Sequence, residues 1–205
     1  MKLQDAARPY RQQRRAAEAE AKTERILRAA FELFLERPLD QITLAAVAER
    51  AGVGLQTVIR RVGTKDGLVR AVSGWTAPQV AADRGAPVSA DPATVARALA
   101  RHYERWGDAT DRMLRQEDAS PALADAAAGG RRAHREWVAA AFAEVLDALA
   151  PDARRQAVGR LIGVCGVELW LVLRRDAGLS VAEARDAVAS LIAATLFSAH
   201  ADQEA

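Results

Sequence analysis

The sequence predicts an all-α protein in two parts, an N-terminal three-helix domain containing a helix-turn-helix and a helical C-terminal domain. Apolar side chains recur with the 3.6-residue period of an amphipathic helix, and no stretch alternates apolar and polar residues as a half-buried strand would. The composition is rich in Ala and Arg, which favours helix. Half of the 205 residues are apolar, so a packed core is expected.

Residues 1–22 predict a flexible, Arg-rich arm, because they hold few large apolar side chains that could dock on a core. Two interpretations of the arm stay open. Its charges either keep a disordered terminus in solution or bind nucleic acid, in the minor groove or on phosphate. The arginines concerned are Arg8, Arg11, Arg14 and Arg15.

The next segment, residues 23–75, begins with a predicted helix over 23–36 that ends before Pro38. Thr43 then stands before a helical stripe of apolar residues, where its hydroxyl oxygen can accept from the free N–H groups of the first turn. Gly52 is expected to end this second helix.

A link of three residues, Gly52-Val53-Gly54, leads to a short third helix over residues 55–62. Gly63 ends it, and Thr64 is the expected N-cap of a fourth helix from Lys65 to about Trp75. Two helices joined by so short a turn can present the second one to a DNA major groove. The spacing is equally compatible with a helical hairpin that merely has a polar surface.

The third helix carries side chains that suit base recognition. Its apolar residues Val58, Ile59 and Val62 are expected to pack inward, and Leu55 could contact a thymine methyl group. Gln pairs well with adenine, Arg with guanine, and Thr with a base or a phosphate. The polar residues expected on the outer face are Gln56, Thr57, Arg60 and Arg61.

Charge is distributed unevenly along the chain. Residues 1–75 carry 14 Lys and Arg against 9 Asp and Glu, a net charge of +5, whereas residues 76–205 carry 15 against 18, a net charge of −3. The first part suits a polyanion, although many basic faces are only solvated.

Residues 76–90 predict a connection, because they contain two Pro, a Gly and no helical period. Asp91 as N-cap and Pro92 at the first helical position then open a helical domain over 91–205. Further helices are expected near 109–116, over 121–149 with a break at Gly129-Gly130, over 151–176, and over 180–200.

The run from Val158 to Leu173 is apolar on nearly every side and therefore has to be buried on nearly every side. Small residues along it would let another backbone approach closely. We predict a two-helix dimer face, with an intrachain core as the alternative. The residues of this predicted face are Gly159, Gly163 and Gly166 on the first helix and Val188, Leu191, Ile192 and Thr195 on the second.

Several classes of protein are excluded. The single cysteine, Cys165, rules out an internal disulfide and multi-cysteine metal sites, and the three histidines are widely separated. No phosphate loop, nucleophile elbow or zinc-protease motif occurs, so no catalytic residue, metal or cofactor is predicted. The apolar run over 161–173 has 13 residues and is interrupted by Glu168, shorter than the ~18 of a membrane span. A cytoplasmic protein without a membrane partner is expected.

Residues 23–72 resemble the DNA-binding domain of the tetracycline-repressor (TetR) family of bacterial regulators. The stretch ILRAAFELFLERPLDQITLAAVAERAGVGLQTVIRRVGTKDGLVRAV has an aliphatic first helix, a Thr-capped second helix, an Ala-Gly-Val turn, a Thr-led recognition helix and Thr-Lys-Asp opening the fourth helix. The resemblance covers about fifty residues of the chain.

The resemblance implies DNA contacts residue by residue. Thr43 stands where relatives bind a phosphate, and Lys65, beside Thr64, matches a phosphate-binding lysine. The chain departs from many relatives at Ile59, since a tyrosine there would bind a phosphate and Ile59 cannot. The implied DNA-binding residues are Thr43, Leu55, Gln56, Thr57, Arg60, Arg61, Thr64 and Lys65, with Arg14 and Arg15 from the arm.

The resemblance also implies a homodimer that binds double-stranded DNA at a palindromic operator, with its two recognition helices ~34 to 36 Å apart. Repression is the family's habit, and a small-molecule effector that binds the C-terminal domain releases the operator. The alternative is a helix-turn-helix regulator controlled by a protein partner or by its own abundance, with no small-molecule inducer.

An apolar effector pocket would draw on aromatic side chains, although aromatic residues of this kind are more often plain core. Glu168 is the sharpest polar candidate, and its alternative is a salt bridge at the rim of the dimer interface. The candidate pocket residues are Trp106, Met113, Trp137, Phe142 and Trp170, with His102, Arg112, His134 and Glu168 as polar contacts.

Overall fold

A computed structural model describes residues 7–86 and 90–204, with side chains described for 14–86 and 90–199. These residues form α-helices joined by short turns, and no strand occurs in the described ranges, so the prediction of an all-α fold is confirmed. The helices are α1 Ala7–Glu36, α2 Leu44–Ala51, α3 Leu55–Val62, α4 Lys65–Arg84, α5 Pro92–Arg115, α6 Pro121–Ala141, α7 Ala143–Asp147, α8 Pro151–Val164, α9 Val167–Leu171 and α10 Val181–Glu204. Two 3₁₀ turns, Leu39–Gln41 and Glu117–Ala119, and a π-helical turn, Val172–Asp176, complete the structure of this part of the chain.

The chain divides into two compact units. The first unit comprises the chain up to Thr76 together with Asp118–Leu123, and the second comprises Ala77–Glu117 and the chain from Ala124 onward. In the first unit α1 packs on α2 and α2 packs on α3. Its core consists of fully buried aliphatic side chains, among them Ile26, Leu33, Val47, Val58 and Leu68.

The second unit is built around α10, which packs on α5 and α8, while α5 also packs on α9. Each of these helices turns one apolar face inward. Along α10 that face repeats every four residues. The largest buried side chains in the core of the second unit include Leu99, Phe142, Leu161, Trp170 and Ile192.

The N-terminal helix is longer than predicted. α1 begins at Ala7, not at Thr23, so the segment predicted as an arm is helical from Ala7 onward. Residues 11–22 are almost all Arg, Gln, Ala, Glu and Lys, which are good helix formers even without an apolar face to bury. The first six residues of the predicted arm, and the side chains of Arg8 and Arg11, lie outside the described residues.

The predicted connection over 76–90 also begins as helix, because α4 continues past Trp75 to Arg84 with Pro78 inside it. The loop signal came from proline, which removes one backbone hydrogen bond and crowds the carbonyl four residues earlier, but α4 continues through Pro78. Gly85 ends the helix at a positive φ of 74°, with its N–H donating to the Ala81 carbonyl at 3.0 Å. Residues 87–89 lie outside the described residues.

Three other helices of the second unit differ in extent from the sequence prediction, two of them at glycines. α5 starts at the predicted place, with the Asp91 carboxylate accepting from Thr94 N at 2.8 Å, but it continues to Arg115 without interruption. The predicted break at Gly129-Gly130 is wrong, because good helix formers flank both glycines and α6 runs through them to Ala141. The predicted helix over 151–176 is instead divided near Gly166, whose extended backbone, with ψ at 156°, starts α9.

The stretch Pro151–Asp176 is long and apolar enough to cross a membrane by length and composition alone, with a mean hydropathy of 1.5. This is weak evidence, since a core helix of a soluble protein passes the same test. In the structure the stretch is divided among α8, α9 and the π-helical turn, and its side chains Leu161 and Trp170 belong to the core of the second unit.

Gly63 has φ 69° and ψ −71°, a backbone conformation that side chains with a Cβ rarely adopt, whereas Gly54 has an ordinary φ of −70°. A Cβ at either position would meet no atom within 4 Å, so only the backbone distinguishes them. We expect Gly63→Ala to lower the free energy of unfolding by about 1–3 kcal/mol. The matched control, Gly54→Ala, should cost about 0.5 kcal/mol. Urea denaturation of both variants tests this, and equal losses would contradict it.

Candidate functional site

Hydrogen bonds fix both the start of α2 and the turn that joins its end to α3. The hydroxyl oxygen of Thr43 accepts from Ala46 N at 3.1 Å, which confirms the predicted cap. Gly52 adopts the left-handed conformation, with φ 63° and ψ 42°, and its N–H donates to Glu49 O at 3.1 Å. Val53 N donates to Ala48 O at 3.0 Å, so the last carbonyls of α2 are satisfied within the turn.

The orientation of α3 follows from the burial of Val58, which has no exposed surface. Gln56 and Arg60 lie on the exposed side of the helix, and Thr57 is half-buried beside them. Neither Gln56 nor Arg60 has a hydrogen bond or ion pair with a described residue. These two side chains are therefore free for an external partner.

Ile59 does not pack inward as predicted, because 38 % of its surface is exposed. It lies one helical turn after Leu55, which is 41 % exposed, and both fall outside the face set by Val58. An apolar pair therefore lies next to the polar side chains of α3.

Three of the other predicted cations, Lys65, Arg61 and Arg14, have partners within the first unit. Lys65 Nζ donates to Leu39 O at 2.7 Å and to Asp40 O at 3.0 Å, so two of its three N–H groups hold the 3₁₀ turn. Arg61 Nη2 donates weakly to Ala19 O, at 3.4 Å, and Arg14 pairs with Glu18 at 3.4 Å. Arg15 is exposed.

Two further sets of contacts, at the start of α4 and at the end of α2, hold the helices on either side of α3. Thr64 Oγ1 accepts from Gly67 N at 3.0 Å, the N-cap bond that was predicted. Arg50 makes two hydrogen bonds of 2.8 Å to the Glu36 carboxylate, which hold the pKa of Glu36 below its usual value and join α2 to α1. The Arg50–Glu36 pair was not predicted, since it joins residues of two helices and has no local sequence signal.

Residues 26–72 match the family model for bacterial regulatory proteins of the tetR family. The helix-turn-helix region of the chain therefore matches the DNA-binding domain of TetR-family transcriptional regulators. The matched residues extend from α1 to the first half of α4, so they contain the helix-turn-helix described above.

Solved structures of transcriptional regulators have a fold similar to that of this chain. A transcriptional regulator from Rhodococcus sp. Rha1 is 19 % identical with a TM-score of 0.63, covering 86 % of this chain and 96 % of that one. A candidate TetR-family regulator from Mesorhizobium loti MAFF303099 is 18 % identical with a TM-score of 0.62, covering 87 % and 96 %. A tetR-family transcriptional regulator from Streptomyces coelicolor is 20 % identical with a TM-score of 0.58, covering 90 % and 84 %. No curated protein matches the sequence.

The predicted dimer residues separate into two groups. Val188 and Ile192 are buried in the core of their own chain, one turn apart on the inner face of α10, so they do not form part of an outer face. Gly166 is also buried. The remaining four predicted residues line a surface groove of about 430 Å³, whose full lining is Gly159, Arg160, Gly163, Val164, Leu169, Leu191 and Thr195.

The tryptophans of the predicted effector pocket are buried, and each indole N–H has a partner. Trp106 donates to Asp83 Oδ2 at 2.6 Å, Trp137 to Gly85 O at 3.0 Å, and Trp170 to Glu104 Oε1 at 3.2 Å. Phe142 is fully buried in the same core. These contacts give each ring a structural role in the second unit.

The remaining pocket candidates lie nearer the surface. Met113 is half-buried, with its methyl group 3.5 Å from the position that a Cβ on Gly130 would occupy. Arg112 is half-buried as well, and Glu168 is exposed. The Glu168 carboxylate lies over the start of α9, where its Oε2 would be 2.9 Å from a Cβ on Gly166.

A polar cluster inside the second unit was only partly foreseen. His102 is 1 % exposed, and its Nε2 accepts from Arg84 Nη2 at 3.0 Å. Burial, with the nearby Arg84 charge, lowers the pKa of His102 to about 3. His134 Nε2 lies 3.1 Å from Ile162 O, and burial lowers its pKa also. Arg84 was missed because the sequence placed it in a loop.

The low pKa of His102 makes the stability of the protein depend on pH. The unfolded chain binds a proton at His102 below about pH 6.5, whereas the folded chain stays neutral there until about pH 3. The contribution is therefore fully present above pH 6.5 and is lost as the pH falls toward 3, by up to about 1.4 kcal/mol per pH unit.

We expect His102→Gln to show a shallower loss of unfolding free energy than the wild type between pH 6.5 and pH 4.5. Urea denaturation at several pH values measures this difference. Above pH 7.5 the gap between the two proteins should be constant, which serves as the internal control. If the unfolding free energies of the two proteins changed in parallel over the whole pH range, His102 would be protonated equally in the folded and unfolded chains, which would contradict the prediction.

Proposed function

We propose that this TetR-family protein is a repressor that binds a palindromic DNA operator as a homodimer and releases it when a small-molecule effector binds. The observation that carries the proposal is the exposed face of α3, where Gln56 and Arg60 have no hydrogen-bond or ion-pair partner among the described residues. A helix of two turns that lies between two glycines with positive φ, Gly52 and Gly63, is a rigid support for such a face.

In the proposed complex, Gln56 and Arg60 contact base edges in the major groove, as amide and guanidinium groups do with adenine and guanine. Leu55 and Ile59 lie beside them and suit thymine methyl groups. Thr57 is half-buried on the same helix and serves a base or a phosphate.

Phosphate contacts are proposed for the residues that frame α3. Thr43 and Thr64 each use the hydroxyl oxygen as an acceptor for a backbone N–H, so the hydroxyl hydrogen is left to donate to a phosphate. Lys65 has one N–H group beyond the two that bind carbonyl oxygens. Arg61, with one weak bond to α1, and the exposed Arg14 and Arg15 add positive charge that favours DNA without reading its sequence.

The proposed dimer forms through the groove between α8 and α10. Gly159 and Gly163 on one wall leave room for a helix to approach, and Leu191 on the other is 41 % exposed. We propose that a second copy of the chain occupies the groove. The two-fold axis of such a dimer would present two α3 helices to successive major-groove segments ~34 to 36 Å apart. The effector binds in the second unit, and the protein acts in the cytoplasm.

Replacing Arg60 by Ala is expected to weaken specific DNA binding about 5- to 150-fold, the range for loss of a side chain that contacts a base. A duplex is first obtained by binding-site selection on the full-length protein, and affinities are then measured by fluorescence anisotropy at fixed salt. Arg155→Ala is the matched control, since Arg155 is an exposed arginine of the second unit.

Two outcomes would refute the proposed DNA interface. One is that the selection enriches no sequence. The other is that Arg60→Ala and Arg155→Ala bind the selected duplex with the affinity of the wild type.

Leu191→Glu should shift the protein from dimer to monomer, because it places a charge in the apolar groove that the second copy covers. Val172→Glu is the matched control, since Val172 is 48 % exposed and does not line the groove. Sedimentation velocity over a range of concentrations should show at least about a tenfold weaker dimer for Leu191→Glu only. If both variants behave as the wild type, the dimer forms elsewhere.

A further inference from the structure

Three buried nitrogen atoms of the second unit lack a hydrogen-bond partner among the residues that the structure describes: Arg84 Nε, His102 Nδ1 and His134 Nδ1. They belong to side chains that already form one cluster, since Arg84 Nη2 donates to His102 Nε2 at 3.0 Å and the Arg84 charge acts on both imidazoles. Buried polar atoms are nearly always satisfied in folded proteins. Three exceptions in one place therefore indicate a site.

The partners of each side chain determine where its protons lie. A guanidinium group only donates, so His102 Nε2 has to accept and its Nδ1 carries the hydrogen. The Ile162 carbonyl only accepts, so His134 Nε2 carries the hydrogen and its Nδ1 has the lone pair. The site thus presents two N–H donors, Arg84 Nε and His102 Nδ1, and one acceptor.

Arg84 also carries a charge that the described residues do not neutralise by direct contact. It makes no ion pair with any of them. The carboxylate of its neighbour Asp83 is used by Arg105, at 2.8 Å, and by Trp106, at 2.6 Å. Glu168 acts on His134 electrostatically, but from an exposed position. A partly buried cation without a carboxylate favours an anionic ligand.

The surroundings of the cluster are aromatic. The Arg84 guanidinium lies 5.8 Å from the centre of the Trp137 ring, and the rings of His102 and Tyr103 are 5.0 Å apart. The Tyr103 hydroxyl is turned to the Cys165 carbonyl, to which it donates at 2.8 Å, so Tyr103 offers its ring and not its oxygen. Such walls suit an apolar ligand body.

We propose that Arg84, His102 and His134 bind the carboxylate of a small organic acid with an apolar body. The carboxylate accepts from Arg84 Nε, His102 Nδ1 donates to a second acceptor of the ligand, and His134 Nδ1 accepts from a hydroxyl group or another donor of the ligand. The inference rests on the proposed ligand response and gives the chemical class of the effector.

The test compares acids with neutral analogues of the same shape. Hexanoate, benzoate and 2-hydroxybenzoate are titrated into the full-length protein, each against its primary amide, with calorimetry for affinity and NMR of the imidazole nitrogens for location. The chain has only three histidines, so single substitutions assign the signals. At least one acid should bind and move the His102 Nδ1 signal, and its amide should not.

Arg84→Gln should weaken that acid about tenfold or more, because it removes a charged donor. Arg155→Gln, whose exposed side chain pairs with Asp152 on the surface, should leave the affinity unchanged. The proposal is overturned if no acid moves the His102 signal, if amides bind as well as acids, or if Arg84→Gln keeps the full affinity. Should Arg84→Gln not fold, the wild-type comparison of acids with amides decides alone.

Operator binding with the same compounds separates this inference from the proposed function. A compound that releases DNA without moving the His102 signal overturns the acid site but supports the ligand response. An acid that binds the site and leaves the operator bound supports the site but contradicts the release of DNA.

Discussion

Two glycines with positive φ, Gly52 and Gly63, delimit the part of the chain on which the DNA-binding surface depends. Gly52 ends α2 and turns the backbone so that α3 can start three residues later, and Gly63 ends α3 before α4 begins. With both ends fixed, the burial of Val58 alone sets which side of α3 is exposed. The chemistry of that side then belongs to Gln56 and Arg60, which have no partner among the residues of the first unit that the structure describes.

In the second unit, most of the polar groups of the core have hydrogen-bond partners within the unit itself. Its indole N–H groups and the Tyr103 hydroxyl all have partners, so most of the polar atoms within the core are satisfied. Arg84 and the two histidines stand apart from this pattern, since each keeps one buried nitrogen unpaired. Unsatisfied groups weaken a fold, and their concentration in one cluster is more economically explained by a ligand than by imperfect packing.

The bounds of the helix-turn-helix could be predicted from the sequence because the residues that begin and end its helices act locally. Thr43, Gly52 and Gly63 act through their own backbone or side chain, and the bounds of α2 and α3 followed from them. Features that depend on distant partners were not predictable. The inner face of α10 is set by neighbouring helices, so Val188 and Ile192 were assigned to the wrong side, and the contact of Arg84 with His102 joins two helices through a segment that resembled a loop.

The burial of Cys165 has a consequence for how the regulator responds to its surroundings. The thiol has no exposed surface, and burial raises its pKa to about 12, so the reactive thiolate is absent at neutral pH. It is also the single cysteine of the chain. Oxidants such as peroxide thus find no accessible cysteine thiolate in the folded protein, and the buried thiol is not available for disulfide exchange with a second copy.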